Sequence, residues 1–321
     1  GGGLTGIPRG PVKSLRVFAF DYGYQRLASH TYVGIEGPWD VHRILGTVPV
    51  EHDGSAMFRI PSNTPVSVQP LDEDGKALQI MRSWFVAMPG ERISCVGCHE
   101  SNSNTPPLHY SLALKKPIEE IRPWFGPARG FSFKREVQPV LDQHCVGCHN
   151  DKPYEGSQLS DLRAGMVDKF SRAYTHLQKY VRRPGPESDY HMMPPAEYHA
   201  DTSPLVQMLA KGHYGVELDR ESWERIYTWI DLNVPDHGTW HEFREIPNKQ
   251  RARRYELRQK YAGIDIDYED IPTLPIKVVK PIIPKWVPPA RPRAKIDCPG
   301  WPFDTAIAKR RQGPDPTRTF T

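Results

Sequence analysis

Cys95-Val96-Gly97-Cys98-His99 is repeated without change at Cys145-Val146-Gly147-Cys148-His149. No other feature constrains the chain as tightly, because this spacing is the one used for covalent attachment of a porphyrin. Two thiols three positions apart lie on one side of a helical turn, where each can add to a vinyl group of the same ring. The adjoining histidine then stands under the iron as proximal ligand. The duplicated motif uses four of the five cysteines. It predicts two covalently bound haem c groups (iron), one on Cys95, Cys98 and His99, the other on Cys145, Cys148 and His149. A zinc ribbon would join its pairs across roughly 15–20 residues, whereas residues 99–144 intervene here and a histidine follows each pair. Thioredoxin-like motifs need a βαβ setting and no histidine. A disulfide across a two-residue gap closes a strained loop. Cys298 is left as a lone thiol in a proline-rich stretch.

The 321 residues suffice for two domains with their own cores. A hydrophobic share of 38% beside 25% charged residues describes a soluble globular protein. The 33 prolines are about twice the usual share and point to long extended connections. A net charge of +4 with dispersed Lys and Arg gives no reason to expect nucleic acid as a partner. No run of 18 apolar residues is present, so no transmembrane segment is expected. Haem is attached on the exported side of a membrane. A periplasmic or extracellular location is therefore expected, with a leader removed or upstream and the chain part of a longer polypeptide.

The expected fold class is α+β, with an N-terminal small β-sandwich, a helical cytochrome c-like domain and an extended Pro-rich tail. Residues 1–91 carry short apolar runs at Val17–Phe20, Thr31–Ile35, Met57–Ile60, Val66–Gln69 and Leu78–Val86, punctuated by Asp53-Gly54 and Asp74-Gly75 turns. Residues 92–130 hold the first motif in irregular sequence. Residues 131–245 turn helical: Pro139 opens the helix leading into Cys145, and a second apolar periodicity runs from Leu162 to Val181. A third helix starts at Ser203-Pro204 and stops at Gly212, and a fourth is capped by Asp219 and carries Trp223, Ile226, Tyr227 and Ile230 on one face. Residues 246–321 begin with a charged helix from Arg251 to Tyr261. Arg251, Arg253 and Arg254 read there as a solvated face. A Pro-rich extended tail follows.

The sixth iron position decides between electron transfer and substrate chemistry. For the second haem the candidates are His191, Met192, Met193, His199, His213 and His237. His213 leads, because it occupies the loop before the last helix. Met193 and His191 come next, with Met193 preceding Pro194-Pro195. For the first haem His30, His42, His52 and His109 remain open, with Arg82 and Arg92 as propionate partners and Trp84 as ring packing.

Three passages carry a family likeness. Gly34 to Val50 reads GIEGPWDVHRILGTVPV, with DGSAMFRIP and MRSWFVAMPGERISCVGCHE after it. Then come FSFKREVQPVLDQHCVGCHN, KGHYGV and WIDLNVP. Together they resemble the C-terminal haem region of the hydrazine synthase alpha subunit family, over roughly residues 30–245. The resemblance implies one catalytic haem, mapping onto Cys95, Cys98 and His99. It also implies one bis-histidine relay haem, mapping onto Cys145, Cys148, His149 and His213. Where the family places a tyrosine ligand shortly after the catalytic motif, this chain has Glu100-Ser101-Asn102-Ser103. Electron relay is the leading expectation, with other redox proteins or cytochrome subunits, in a larger and even membrane-associated complex, as partners. A haem oxidoreductase acting on a small nitrogen or oxygen compound at the first haem is the alternative. A structural module of a large complex is the third reading.

Overall fold

The computed structural model describes residues 2–8, 10–27, 29–97, 110–154, 156–181, 193–271 and 280–283. Its centre is a four-stranded antiparallel sheet in the order β3-β1-β2-β4. Strand β1 (Ser14–Asp21) pairs with β2 (Val41–Pro49) on one side and β3 (Val66–Leu71) on the other, and the two-residue β4 (Arg129–Gly130) adds to β2. From Arg16 to Asp21 every β1 residue is buried, as a central strand covered on both faces requires. The β1–β2 register slips at Val17/Phe18, where Val17 faces Gly46 and Phe18 faces Ile44. Gly46 makes this bulge affordable: its φ is +144°, and a Cβ there would lie 2.0 Å from the Arg122 carbonyl oxygen.

The α+β class holds, but a single sheet stands where a sandwich was expected. Its second layer is helical. Phe18, Phe20 and Ile44 of the sheet share one apolar core with Phe131, Phe133, Leu141, Tyr174, Ile226 and Trp229 from the helical part. The aromatic and aliphatic surface that would have closed a sandwich is spent on helices instead. Thr31–Ile35, Met57–Ile60 and Leu78–Val86 form no strand. The last contributes an isolated bridge, Val66 to Phe85.

Helix α1 (Gln138–His144) has Pro near its start and continues a π-turn at Phe133–Val137. The expected helix from Leu162 shrinks to α2 (Arg172–Leu177), preceded by a ribbon of β5 (Met166–Val167) and β6 (Phe170–Ser171). Asp168 takes a φ of +58° between the two short strands, a turn that apolar periodicity does not register. α3 (Pro204–Ala210) and α4 (Arg220–Asp231) appear as the caps foretold, with Asp219 Oδ1 accepting from Ser222 N at 2.8 Å. α5 (Trp240–Phe243) is closed by a Thr239/Glu242 capping box, and α6 (Asn248–Ala262) completes the helices.

Buried polar links tie the sheet to α4. Arg16 on β1 donates to Gln69 Oε1 and to Thr228 Oγ1, each at 2.8 Å, and lies 3.9 Å from Asp231. Asp231 accepts from the backbone of Ala77 at 2.8 Å and of Ala200 at 3.1 Å. Burial pushes its carboxyl up to about 7, with Arg16 opposing. No helix among the described residues is long and apolar enough to cross a membrane.

Candidate functional site

The second pentapeptide is wound directly onto the end of α1. Cys145 caps the helix; Val146 N then donates to Leu141 O, Cys148 N to Cys145 O at 3.1 Å and His149 N to Cys145 O at 2.9 Å. The chain thus makes one further turn, which is what brings two thiols separated by two residues to the same side. Asn150 staples this turn, its Nδ2 donating to the carbonyls of Val146 (3.0 Å) and Gly147 (3.1 Å). The Asn that follows the motif was not singled out from sequence; its signal was an amide at the end of a helical turn. Cys145 and Cys148 are half-buried free thiols, with no disulfide between them. Burial pushes the Cys145 thiol up to about 12.

His149 Nδ1 lies 3.1 Å from the carbonyl oxygen of Ser160. A carbonyl only accepts, so Nδ1 carries the proton and Nε2 keeps its lone pair free. This is the arrangement that orients a metal-ligating imidazole. Desolvation lowers the pKa of His149 and of His213, for His213 with a further contribution from His149. Both are therefore held as neutral rings. Their centroids are 6.0 Å apart and their planes differ by 25°. Two metal–nitrogen bonds of about 2 Å, with about 1 Å from each nitrogen to its ring centre, span about 6 Å. That separation matches an iron held between two imidazoles.

A tight turn presents His213 from the loop between α3 and α4. Val216 N donates to His213 O at 2.9 Å, and the two central residues, Tyr214 and Gly215, have φ of +48° and +74°. Two positive φ values in succession mark a type I′ turn, one that Gly at the second position favours. Of the remaining candidates, His237 and His199 are engaged elsewhere. His237 Nε2 contacts Lys169 O at 3.0 Å, and its ring stacks on Phe170. His199 caps the short 3₁₀ turn at Ala200–Thr202. Met193 is buried, and its carbonyl accepts from Gln79 at 2.9 Å. His191 and Met192 are outside the described residues.

For the first pentapeptide, Cys95 is an exposed free thiol, and Cys98 and His99 lie outside the described residues. The run leading to it leaves Trp84, Val86, Met88, Ile93 and Val96 exposed, an apolar stretch unusual for a bare surface. Upstream, a cavity of about 260 Å³ is lined by Phe18, Phe20, Trp39, His42, Arg82 and Trp84, among others. Three residues named for the first haem thus share one cavity: His42, Arg82 and Trp84. His30 meets Trp39 edge-on, with ring centres 5.3 Å apart, while His52 and Arg92 are exposed and His109 is outside the described residues. His42 packs against Phe18 and Phe20, each ring centre 4.9 Å away. Burial pulls its pKa down to about 3, and its enclosed Nδ1 has no hydrogen-bond partner. It lacks the carbonyl that steadies His149. Among the described residues no group of three His, Cys, Asp or Glu side chains forms an all-protein metal cage.

Residues 10–100 match the family model of the hydrazine synthase alpha subunit middle domain. The hydrazine synthase subunit alpha of Kuenenia stuttgartiensis is 24% identical over 199 residues, which cover 44% of this chain and 24% of that protein. A solved structure of Kuenenia stuttgartiensis hydrazine synthase aligns with a TM-score of 0.48 at 19% identity, covering 75% of this chain and 40% of the other. The chain spans about a quarter of the length of the curated relative. By its matched domain and that relative, the chain is related to the hydrazine synthase alpha subunit over part of its length.

Proposed function

We propose that this chain is a di-haem c-type cytochrome segment that relays electrons within a larger redox assembly, on the exported side of a membrane. The single observation that carries the reading is the His149/His213 pair, with ring centres 6.0 Å apart and His149 steadied through the Ser160 carbonyl. When bound there, a haem iron with two imidazoles supplies one-electron chemistry without an open position for substrate. The protein's own part is to fix the ligands. The turn after α1 aligns Cys145 and Cys148 for thioether bonds, the Ser160 carbonyl sets the tautomer of His149, and the type I′ turn holds His213 opposite.

A second reading, redox chemistry on a small nitrogen or oxygen compound at the first motif, is favoured by the relation to hydrazine synthase and by the cavity around His42. The two readings divide on the first haem. Electron paramagnetic resonance of the oxidised protein counts high-spin and low-spin centres together. Relay alone gives two low-spin centres and no carbon monoxide binding after reduction. One high-spin centre that binds carbon monoxide supports catalysis at the first motif, with relay confined to the second. A polypeptide that loses all colour in acid–acetone removes both.

A further inference from the structure

One described stretch of the tail, residues 280–283, returns to the second pentapeptide. Ile282 N donates to the Gln143 carbonyl, in the last turn of α1, at 2.7 Å. A Cβ added to Gly147 would meet Ile282 O at 3.2 Å and Ile283 Cγ1 at 3.3 Å. Gly147 stands between the two cysteines of the motif, so whatever lies on it lies at the edge of the ring that carries the thioethers. Ile282 and Ile283 nevertheless keep 50% and 69% of their surface exposed. Little burial against protein holds the segment there. Pro281 and Pro284 flank the pair, and both restrict backbone freedom toward extended geometry, which lowers the entropy cost of laying the segment down.

We propose that this tail segment belongs to the second haem's binding site, as an apolar strap along its thioether edge that limits access of water and small ions to the ring. The inference rests on the haem reading of Cys145–His149. It gives residues 280–283 a role, and it makes Gly147 a close neighbour of the strap, whose backbone and side chain a Cβ there would press upon. Covering an apolar ring edge is the favourable contact that the two isoleucines otherwise lack.

The test uses the holo-protein and two variants that release the strap from opposite sides. Ile282→Pro deletes the donor to Gln143, and Gly147→Val drives a side chain into the strap. Oxidation of the low-spin ferrous band is followed by stopped flow with ferricyanide and, to separate charge from access, with hexaammineruthenium(III). Release of the strap is expected to raise both rates by about 3- to 10-fold and to lower the midpoint potential, since water contact stabilises the ferric state. Wild-type rates and potential in Ile282→Pro, with haem content unchanged, overturn the proposal even if Gly147→Val fails to mature. Mass spectrometry of the Cys145–Cys148 peptide separates the two levels: a peptide without haem mass overturns the haem reading and the strap together.

Discussion

Arg129 and Glu136 meet in a two-pronged ion pair, Nε to Oε1 at 2.7 Å and Nη2 to Oε2 at 2.9 Å, with both side chains almost wholly enclosed. Arg225 on α4 reaches the same carboxylate, and its guanidinium lies over the rings of Trp124 and Phe125. One carboxylate therefore joins β4, the turn before α1 and α4, the elements that orient the second motif and the loop carrying His213.

Removing that carboxylate leaves Arg129 buried without its counter-charge. Glu136→Gln is expected to cost about 3–5 kcal/mol, because an uncompensated buried charge is far worse than none. The Arg129→Met/Glu136→Met pair is expected to cost clearly less. Urea unfolding of the holo-protein, followed by tryptophan fluorescence, measures both. Equal losses would show that packing rather than charge sets the value.

On the haem reading proposed above, His213→Ala leaves His149, Cys145 and Cys148 in place while removing the second ring. The expected result is a holo-protein with one low-spin centre converted to high spin, able to bind carbon monoxide when reduced. The same change at His237, which is engaged with Lys169 and Phe170, is expected to leave the spin state alone. If His237→Ala converts the centre and His213→Ala does not, the ligand assignment is reversed.

The local geometry around the second motif was legible in sequence because its determinants are local. A pentapeptide on a helical turn sets two thiols and a histidine side by side, while Asp219 and Gly212 delimit the loop that contains His213. The sheet was less legible. Val41–Pro49 became a central strand although Gly46 and Pro49 interrupt its pattern, because the bulge lets Gly46 pass against Arg122. Leu78–Val86 had the better β pattern yet forms only a bridge, since its apolar side chains are divided between the core and the surface near the first motif. Choices of this kind are made by tertiary partners, which a window of sequence does not contain. His42, Arg82 and Trp84 come from separate segments, and only the fold brings them to one cavity.

His42 gives a pH prediction with a definite sign. Its folded pKa of about 3 lies below the ordinary 6.5, because burial disfavours the charged ring. The stability it contributes is complete above pH 6.5 and is lost as pH falls toward 3, at up to about 1.4 kcal/mol per pH unit. His42→Phe removes this proton uptake and flattens the stability–pH curve across that window. Chemical denaturation at several pH values between 7 and 4 reads the slope. Identical slopes for the two proteins would mean that His42 gains a proton without penalty, and that the cavity is wetter than its aromatic walls imply.

Helix α6 tests how a helix with no buried residue stays docked. A solvated face was expected for Arg251, Arg253 and Arg254, and only Arg253 behaves so, pairing with Glu256 on its own helix. Arg251 binds Asp267 and Asp270 in the chain that follows. Arg254 donates to the carbonyls of Tyr22 at 2.7 Å and Gly23 at 2.8 Å, with its guanidinium 3.4 Å from the Tyr24 ring centre, and Arg258 reaches Asp21 at 2.9 Å. Polar anchoring of this sort supports local rather than global stability. Arg254→Ala is expected to lower the local opening free energy by about 2 kcal/mol, or about 30-fold in amide exchange across residues 248–262, through lost charged hydrogen bonds and ring contact. The global unfolding midpoint should barely move, and Arg253→Ala should leave exchange unchanged. Equal protection in the two variants would show that Arg254 does not anchor the helix, and that the covalent connection through residues 244–247 and the acidic loop at Asp267–Asp270 hold it instead.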